Sequence, residues 1–423
     1  MTDATRQSDE PILTADGILL KVSLARALRR KKLQALLLVA PLFLFIIITF
    51  FVPIVDMLFR SVENSIISEI LPRSTTLLAK WDAESNALPS EAVFAAMVKD
   101  IKEGRKNRTI SRAGQRLNYE APGMSSLFRS SGRKAKKIKK GPYKAALIKV
   151  HKAWGDIETW KLIRQFSPEY TDGYFLAAID AKRKVDGDLT RVNEEARIYL
   201  HLFWRTLKLS LFITVMTLIL GFPIAYLMAT LPTKSSNMLL IFVLLPFWTS
   251  LLVRTTAWIA LLQQQGVINE LLVFAGLVGT DNRPQMIHNQ FGSIVAMTHI
   301  LLPFMVLPLF SVMKTIPKSY VRAAVSLGAH PWLAFCKIYF PNTVPGIGAG
   351  AILVFILAIG YYITPELVGG TEGTFISNRI AYHISGSLNW GLGAALGVIL
   401  LGVVVALYLI YDKVIGIDNM KLG

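Results

Sequence analysis

The sequence predicts an all-α integral membrane protein, with six transmembrane helices and a large, mostly helical extracytoplasmic insert between the first and the second. Three observations predict it. The chain is 53% hydrophobic and 17% charged, whereas soluble domains carry about 25% charged residues. It contains six apolar runs near the ~20 residues that cross a bilayer as a helix. One long polar stretch, 60–200, separates the first run from the other five.

The elements follow in order. Residues 1–32 read as a cytoplasmic N-terminal tail and 33–59 as the first transmembrane helix, whose run from Leu33 to Val55 holds no charge. That run is longer than a signal-peptide core of about 7–15 residues and lacks a small-residue cleavage site, so it reads as a retained anchor. Arg26, Arg29, Arg30, Lys31 and Lys32 precede it. Basic residues in short flanks face the cytoplasm, which puts the N-terminus inside.

Residues 60–200 carry 27 basic and 17 acidic side chains, with a peak at RKAKKIKKGPYK, 133–144. A long loop translocates largely regardless of its charge, so this basic insert is compatible with an extracytoplasmic position. EAVFAAMVKDIKEG and YKAALIKVHKAW have helical spacing, so the expectation is a small helical domain with a flexible basic loop. A nucleic-acid role would need the basic patch in the cytoplasm with interleaved aromatics, and no nucleic acid is expected. A solvated face, or a patch touching anionic headgroups, accounts for the charge.

Residues 201–423 form the core. Its five spans are expected near Leu209–Thr230, Met238–Leu262, Phe291–Val312, Ile347–Thr364 and Leu392–Tyr411. Pro223, Pro246, Pro303 and Pro308 lie inside them, which helix bundles tolerate where neighbours satisfy the freed carbonyls. Six crossings return the C-terminus to the cytoplasm. They also put Lys234 and the segment 315–345 inside, and Lys314, Lys318, Arg322 and Lys337 agree.

The span interiors hold almost no carboxylates. Asp56 and Glu366 stand at span ends, His299 is the lone interior histidine and Arg254 is the deepest charge. An ion-coupled carrier normally keeps Asp, Glu or His at depth, which disfavours that class, although backbone carbonyls also hold sodium. No GxxxxGK[ST] loop occurs, so a pump built on this chain needs a motor on another polypeptide. One cysteine, Cys336, and six histidines without ligand spacing leave no metal site. Neither GxSxG nor HExxH occurs, so the chain reads as a non-catalytic subunit without a cofactor.

The segment YVRAAVSLGAHPWLAFCKIYFP, 320–341, is too short to span yet apolar for a connector. Tyr320, Ala323, Ala324 and Leu327 share one helical face, and Gly328 suits a C-cap. Pro331 suits the first turn of a second helix, with Trp332, Phe335, Cys336 and Tyr339 on one face and Pro341 at its end. Two short helices with a rigid corner are expected there, a shape a motor could grip.

At these residues the chain resembles the permeases of binding-protein-dependent, type I ABC importers. That family carries a Glu-Ala-Ala motif, a glycine four residues on and a hydrophobic-x-Pro ending, which form a coupling helix seated in the ATPase. Ala323 and Ala324 take the alanine places, Gly328 the glycine, Ile338 the isoleucine and Pro341 the proline, while Arg322 stands where glutamate is usual and Phe340 where leucine is usual. The stretches 205–229, 244–269, 301–313 and YYITPELVGG, 361–370, are most similar to the first permease of spermidine/putrescine systems. The resemblance covers the chain from about residue 200. It implies a type I importer permease fold that couples to a separate ATPase present in two copies. It also implies a second, homologous permease, a periplasmic solute-binding protein and a site in the bacterial inner membrane.

The translocation path is expected at Phe247, Trp248, Arg254, Thr255 and Trp258 on the third span and at Tyr361, Tyr362, Thr364 and Glu366 where the fifth opens outward. Aromatic faces and a carboxylate suit a small organic cation such as a polyamine, each cation-π contact contributing about 0.5–2 kcal/mol. Interfacial belting explains the same aromatics equally simply. Arg254 is neutralised by Glu366 or by the partner permease, or it shapes a gate and meets no substrate. Gly346, Gly348 and Gly350, with the Gly393/Gly397 step, let helices approach closely, against either the partner permease or the same bundle.

Overall fold

The computed structural model describes residues 20–85, 87–184 and 187–415. The outermost parts of both termini, expected to be cytoplasmic, and the Arg26 side chain lie outside the described residues. The chain forms two compact units that divide between Phe59 and Arg60. In the first, α1 (Leu20–Ile46) passes through a π turn, Ile47–Phe51, into α2 (Val52–Arg60). Within Leu28–Arg60 the charge-free run 33–55 is apolar on every side and unburied, which suits a helix solvated by lipid.

The second unit opens with the insert. After α3 (Ser65–Ile70) and α4 (Pro72–Leu78) comes α5 (Glu91–Lys106), which buries Val93, Phe94, Met97 and Ile101 at helical spacing. Glu91 in its first turn and Arg105 and Lys106 in its last complement the helix dipole. Helices α6 (Ile110–Asn118), α7 (Met124–Lys134), α8 (Tyr143–Val150) and α9 (Ile157–Gln165) close around it. Their core is aromatic: Phe94 and Trp154 lie 4.5 and 5.1 Å from Trp160 between ring centroids. Both buried indoles are satisfied, Trp154 donating to Ser131 Oγ at 2.8 Å and Trp160 to the Trp154 carbonyl at 3.0 Å. The basic run is no loose loop. It passes through a 3-10 turn, Ala135–Lys137, pinned by buried Ala135 and Ile138 and by a 2.5 Å hydrogen bond from Lys102 Nζ to the Ile138 carbonyl.

The insert ends in α10 (Gly173–Ala178) and a hairpin of β1 (Ala181–Arg183) and β2 (Leu189–Arg191), paired Ala181 to Arg191. Asp180, at the hairpin's root, is buried. Its carboxylate accepts the Ile198 and Tyr199 N–H groups at 3.1 Å and the Leu200 N–H at 2.8 Å. These donors begin the next helix and have no partner within it, so one insert side chain caps the first span of the core.

That span is α11 (Tyr199–Thr230). It packs with α15 (Gln290–Thr315) and α18 (Phe340–Gly360) around Ile213, Leu301, Met305 and Val354. The small residues serve this bundle: a Cβ on Gly346 would lie 3.0 Å from Val312, and one on Gly393 3.1 Å from Ile384. Among the described residues five helices are long and apolar enough to cross a membrane, and a sixth candidate is a bent pair.

The bent pair corrects the expected continuous span Met238–Leu262. Helix α12 (Thr233–Leu244) runs into a 3-10 turn, Leu245–Trp248, and the axis then swings by 96° into α13 (Leu251–Leu262) and α14 (Val267–Phe274). Pro246 has no N–H to continue the ladder. Ser250 Oγ then accepts the Val253 N–H at 3.2 Å and starts a new helix.

The expected fifth span also changes. One helical stretch runs Pro331–Gly360, through α17 (Pro331–Ala334) and a π turn, Phe335–Tyr339, so Pro341 does not end a separate helix. The Phe340 N–H reaches back five residues to Phe335, and Pro341 falls where the ladder is already offset. The helix stops at Gly360, and Thr364 belongs to α19 (Ile363–Val368). Helices α20 (Ile376–Ser385) and α21 (Trp390–Ile415) complete the chain.

The two ends of α11, about 48 Å apart at 1.5 Å per residue, are thereby distinguished. The insert lies at the Tyr199 end, where Tyr119 Oη donates to the Ser387 carbonyl at 2.6 Å. At the Thr230 end stands α16 (Lys318–Ser326), whose Lys318 Nζ donates to the Thr230 carbonyl at 3.3 Å.

Candidate functional site

The corner at the Thr230 end is built on a backbone motif. Helix α16 ends where the Gly328 N–H reaches the Val325 carbonyl and the Ala329 N–H the Ala324 carbonyl, both at 3.0 Å. This pair is a Schellman cap. Gly328 takes φ +91°, a left-handed conformation that glycine alone adopts without steric penalty. His330 Nδ1 then accepts the Trp332 N–H at 3.3 Å, with Pro331 in the first position of α17.

The two expected docking faces differ. On α16, Tyr320, Arg322, Ala323 and Leu327 are exposed and only Ala324 is buried. Leu327, at the end of α16, is 88% exposed and Trp332, in the first turn of α17, 68%. The second face turns inward only at Phe335 and Tyr339. Trp332, Phe335 and Tyr339 stack successively at 5.7 Å, and Tyr226 of α11 meets Phe335 at 5.8 Å and Tyr339 at 5.3 Å, edge-on. Phe222 also meets Phe335 edge-on. Ile338 is half-buried, and Cys336 and Pro341 are exposed. A stack of rings therefore leads from the exposed corner into α11 and α18.

The residues expected along the path gather around two breaks, the bend after Trp248 and the stop at Gly360. Phe247 packs edge-on against Phe304 of α15 at 5.2 Å, while Trp248 is exposed. Thr255 and Thr364, both fully buried, join α13 to α19 with their Oγ1 atoms 3.1 Å apart. Trp258 donates from Nε1 to His299 Nδ1 at 3.2 Å. Arg254 is half-buried, within electrostatic reach of His299 and Tyr361.

Glu366 does not neutralise Arg254: among the described residues Arg254 has no ion pair, and the carboxylate is engaged elsewhere. Its Oε2 accepts from Asn378 Nδ2 at 2.6 Å. Asn378 also donates to the Tyr362 carbonyl at 2.8 Å and accepts the Phe375 N–H at 2.9 Å. Ser377 donates to the Tyr361 carbonyl at 2.6 Å. The carbonyls released where α18 stops are thus taken up by α20, and Tyr362 and Glu366 are left exposed. Ser377 and Asn378 were missed from sequence because they lie outside every apolar run and fit no motif. His299 was visible as a lone histidine in a span, and its partner was not.

Buried His383 joins α20 to α11 at the Tyr199 end. His383 Nε2 lies 2.8 Å from Tyr199 Oη, and Nδ1 lies 2.9 Å from Ser387 Oγ. Burial, with Arg379 adding to it, lowers the imidazole pKa to about 4.

Residues 209–415 match the family of the binding-protein-dependent transport system inner membrane component. The spermidine/putrescine transport system permease protein PotB of Salmonella typhimurium is 34% identical over 226 residues, covering 53% of this chain and 78% of that protein. PotB of Escherichia coli is 33% identical over 225 residues, covering 53% and 81%. The molybdenum transport system permease protein ModB of Azotobacter vinelandii is 30% identical over 165 residues, covering 39% and 70%. Among solved structures, a bacterial ABC transporter involved in alginate import aligns over 52% of this chain and 80% of that one, at 20% identity and a TM-score of 0.41.

Proposed function

The chain belongs to the family of binding-protein-dependent transport system inner membrane components, and from that premise we propose that it is the permease subunit through which an ATP-driven importer moves a small organic cation of the polyamine class. Two ATPase chains supply the energy, a second permease completes the path, and a periplasmic binding protein delivers the cargo. Both termini and the 318–334 corner face the cytoplasm.

The observation that carries this reading is the corner. Leu327 and Trp332 present an apolar knob to solvent, next to an exposed Arg322 that suits an acidic rim on the ATPase. The knob is continuous with the ring stack onto Tyr226 and Phe222. An ATPase that closes around α16 moves α11 and α18 together, because packed aromatic contacts shift as a unit rather than deform. At the other end of α18 the motion reaches the break at Tyr361.

There an organic ammonium meets the face of Tyr362 and the Glu366 carboxylate, and Trp248 offers a second aromatic face at the other break. Desolvated cation-π contacts and charge pairing favour it by about 1–2 kcal/mol each. Arg254, without an ion pair in this chain, takes its counter-charge from the second permease or guards a gate. The test is uptake of labelled putrescine and spermidine by vesicles holding the assembled complex, with and without ATP. ATP-dependent uptake supports the reading. Uptake that needs no ATPase favours an ion-coupled carrier or channel.

A further inference from the structure

The geometry points to a second role for the insert: its basic ridge is an electrostatic docking surface for an acidic face of the soluble solute-binding protein, a proposal that rests on the importer reading above. Six cations, Arg133, Lys134, Lys136, Lys137, Lys139 and Lys140, stand exposed within eight residues. None of them has an ion pair among the described residues. Buried Ala135 and Ile138 alternate with them and fix the run to the α5–α9 core, so the charges are held in one place. Arg105, at the end of α5, extends the patch, its Cδ lying within 3.7 Å of where a Gly132 side chain would begin. Like charges fixed this closely repel one another, and an anionic partner relieves the repulsion.

The ridge stands off from the core helices, where a soluble protein partner can reach it. Helices α6 and α7 run antiparallel, since Gly114 abuts Phe128 and Ile110 abuts Gly132. The end of α6 touches the Ser387 loop through Tyr119, so the ridge starts at the far end of the hairpin, about 14 Å away for nine helical residues. A carrier releasing cargo toward Tyr362 and Glu366 sits over α20 and the Ser387 loop, within reach of such a projection. Fixed complementary charge raises encounter rates about 10- to 1,000-fold and weakens with salt.

The experiment uses the full transporter in nanodiscs and titrates the binding protein, reading stimulated ATP hydrolysis at about 50 and about 300 mM salt. The five-lysine variant K134Q/K136Q/K137Q/K139Q/K140Q, altered only at exposed positions, is expected to need roughly tenfold more binding protein at low salt and to match wild type at high salt. Equal half-maximal concentrations at low salt, with ATP-dependent uptake intact, would overturn the ridge proposal and leave the importer reading standing. Unstimulated wild-type hydrolysis would overturn both. Unchanged stimulation with lost binding to phosphatidylglycerol vesicles would assign the ridge to lipid and overturn the proposal.

Discussion

Replacing Gly328 by alanine should weaken attachment of the ATPase about 5- to 30-fold. The magnitude follows from the backbone. At φ +91° an L-residue places its Cβ against the following carbonyl, at about 1–2 kcal/mol. A Cβ built there meets nothing else within 4 Å, so this penalty stands alone. Relaxing it breaks the hydrogen bonds onto Val325 and Ala324, and Leu327 and Trp332 no longer flank one turn. If docking needs that turn, 1–2 kcal/mol transfers to the dissociation constant at about 1.4 kcal/mol per factor of ten. Gly328→Asn is the control, because asparagine tolerates the left-handed region and should retain most of the affinity. Gly328→Trp should abolish association while membrane insertion stays normal. Affinities are read by titrating the ATPase onto the purified permease. Alanine and asparagine variants that both bind like wild type would refute the argument.

Three further outcomes are expected. Asp180→Ala removes the acceptor for three partly buried N–H groups at the start of α11 and should destabilise the insert's junction with the core by about 3 kcal/mol. Hydrogen exchange at residues 198–200 checks it, and unchanged protection would contradict it. Asn378→Ala leaves the Tyr362 carbonyl unpaired at about 1–3 kcal/mol and frees Glu366, so uptake should fall with membrane levels unchanged; wild-type uptake would separate the Gly360 break from transport. His383 is held neutral by burial, with its pKa lowered to about 4. The unfolded chain takes up the proton first, so the stability it supports is complete above about pH 6.5 and declines as pH falls toward 4. A melting-temperature series from pH 7 to 4 should therefore be flatter for His383→Gln than for wild type, and parallel curves would count against it.

The spans were legible because a bilayer imposes length and apolarity on any crossing helix. Their breaks were not. Pro223, Pro303 and Pro308 lie within unbroken helices, yet Pro246 turns the chain by 96°. Local sequence does not distinguish them, because the outcome depends on what neighbouring helices and Ser250 do with the freed backbone groups. At the corner, periodicity identified both helical faces but not what they oppose. Trp332, Phe335 and Tyr339 share a face that reads equally as docking surface or packing surface, and Tyr226, over a hundred residues earlier, decides it. Of the residues proposed for the path, Thr255 pairs with Thr364 and Trp258 with His299, contacts between helices that no local pattern announces. Asn378 matters only because α18 stops at Gly360, a fact of tertiary structure with no local trace.

Thiol cross-linking reports directly on which end of the permease the ATPase grips. Cys336 is the single cysteine, so a Cys336→Ser chain accepts one reporter, placed at Leu327 on the corner or at Leu388 at the opposite end, and is co-expressed with its ATPase. A cross-linked ATPase band whose yield changes with nucleotide is expected from Leu327→Cys, and none from Leu388→Cys. An ATPase band from Leu388→Cys, or none from Leu327→Cys in a complex that still hydrolyses ATP, would contradict docking at the corner.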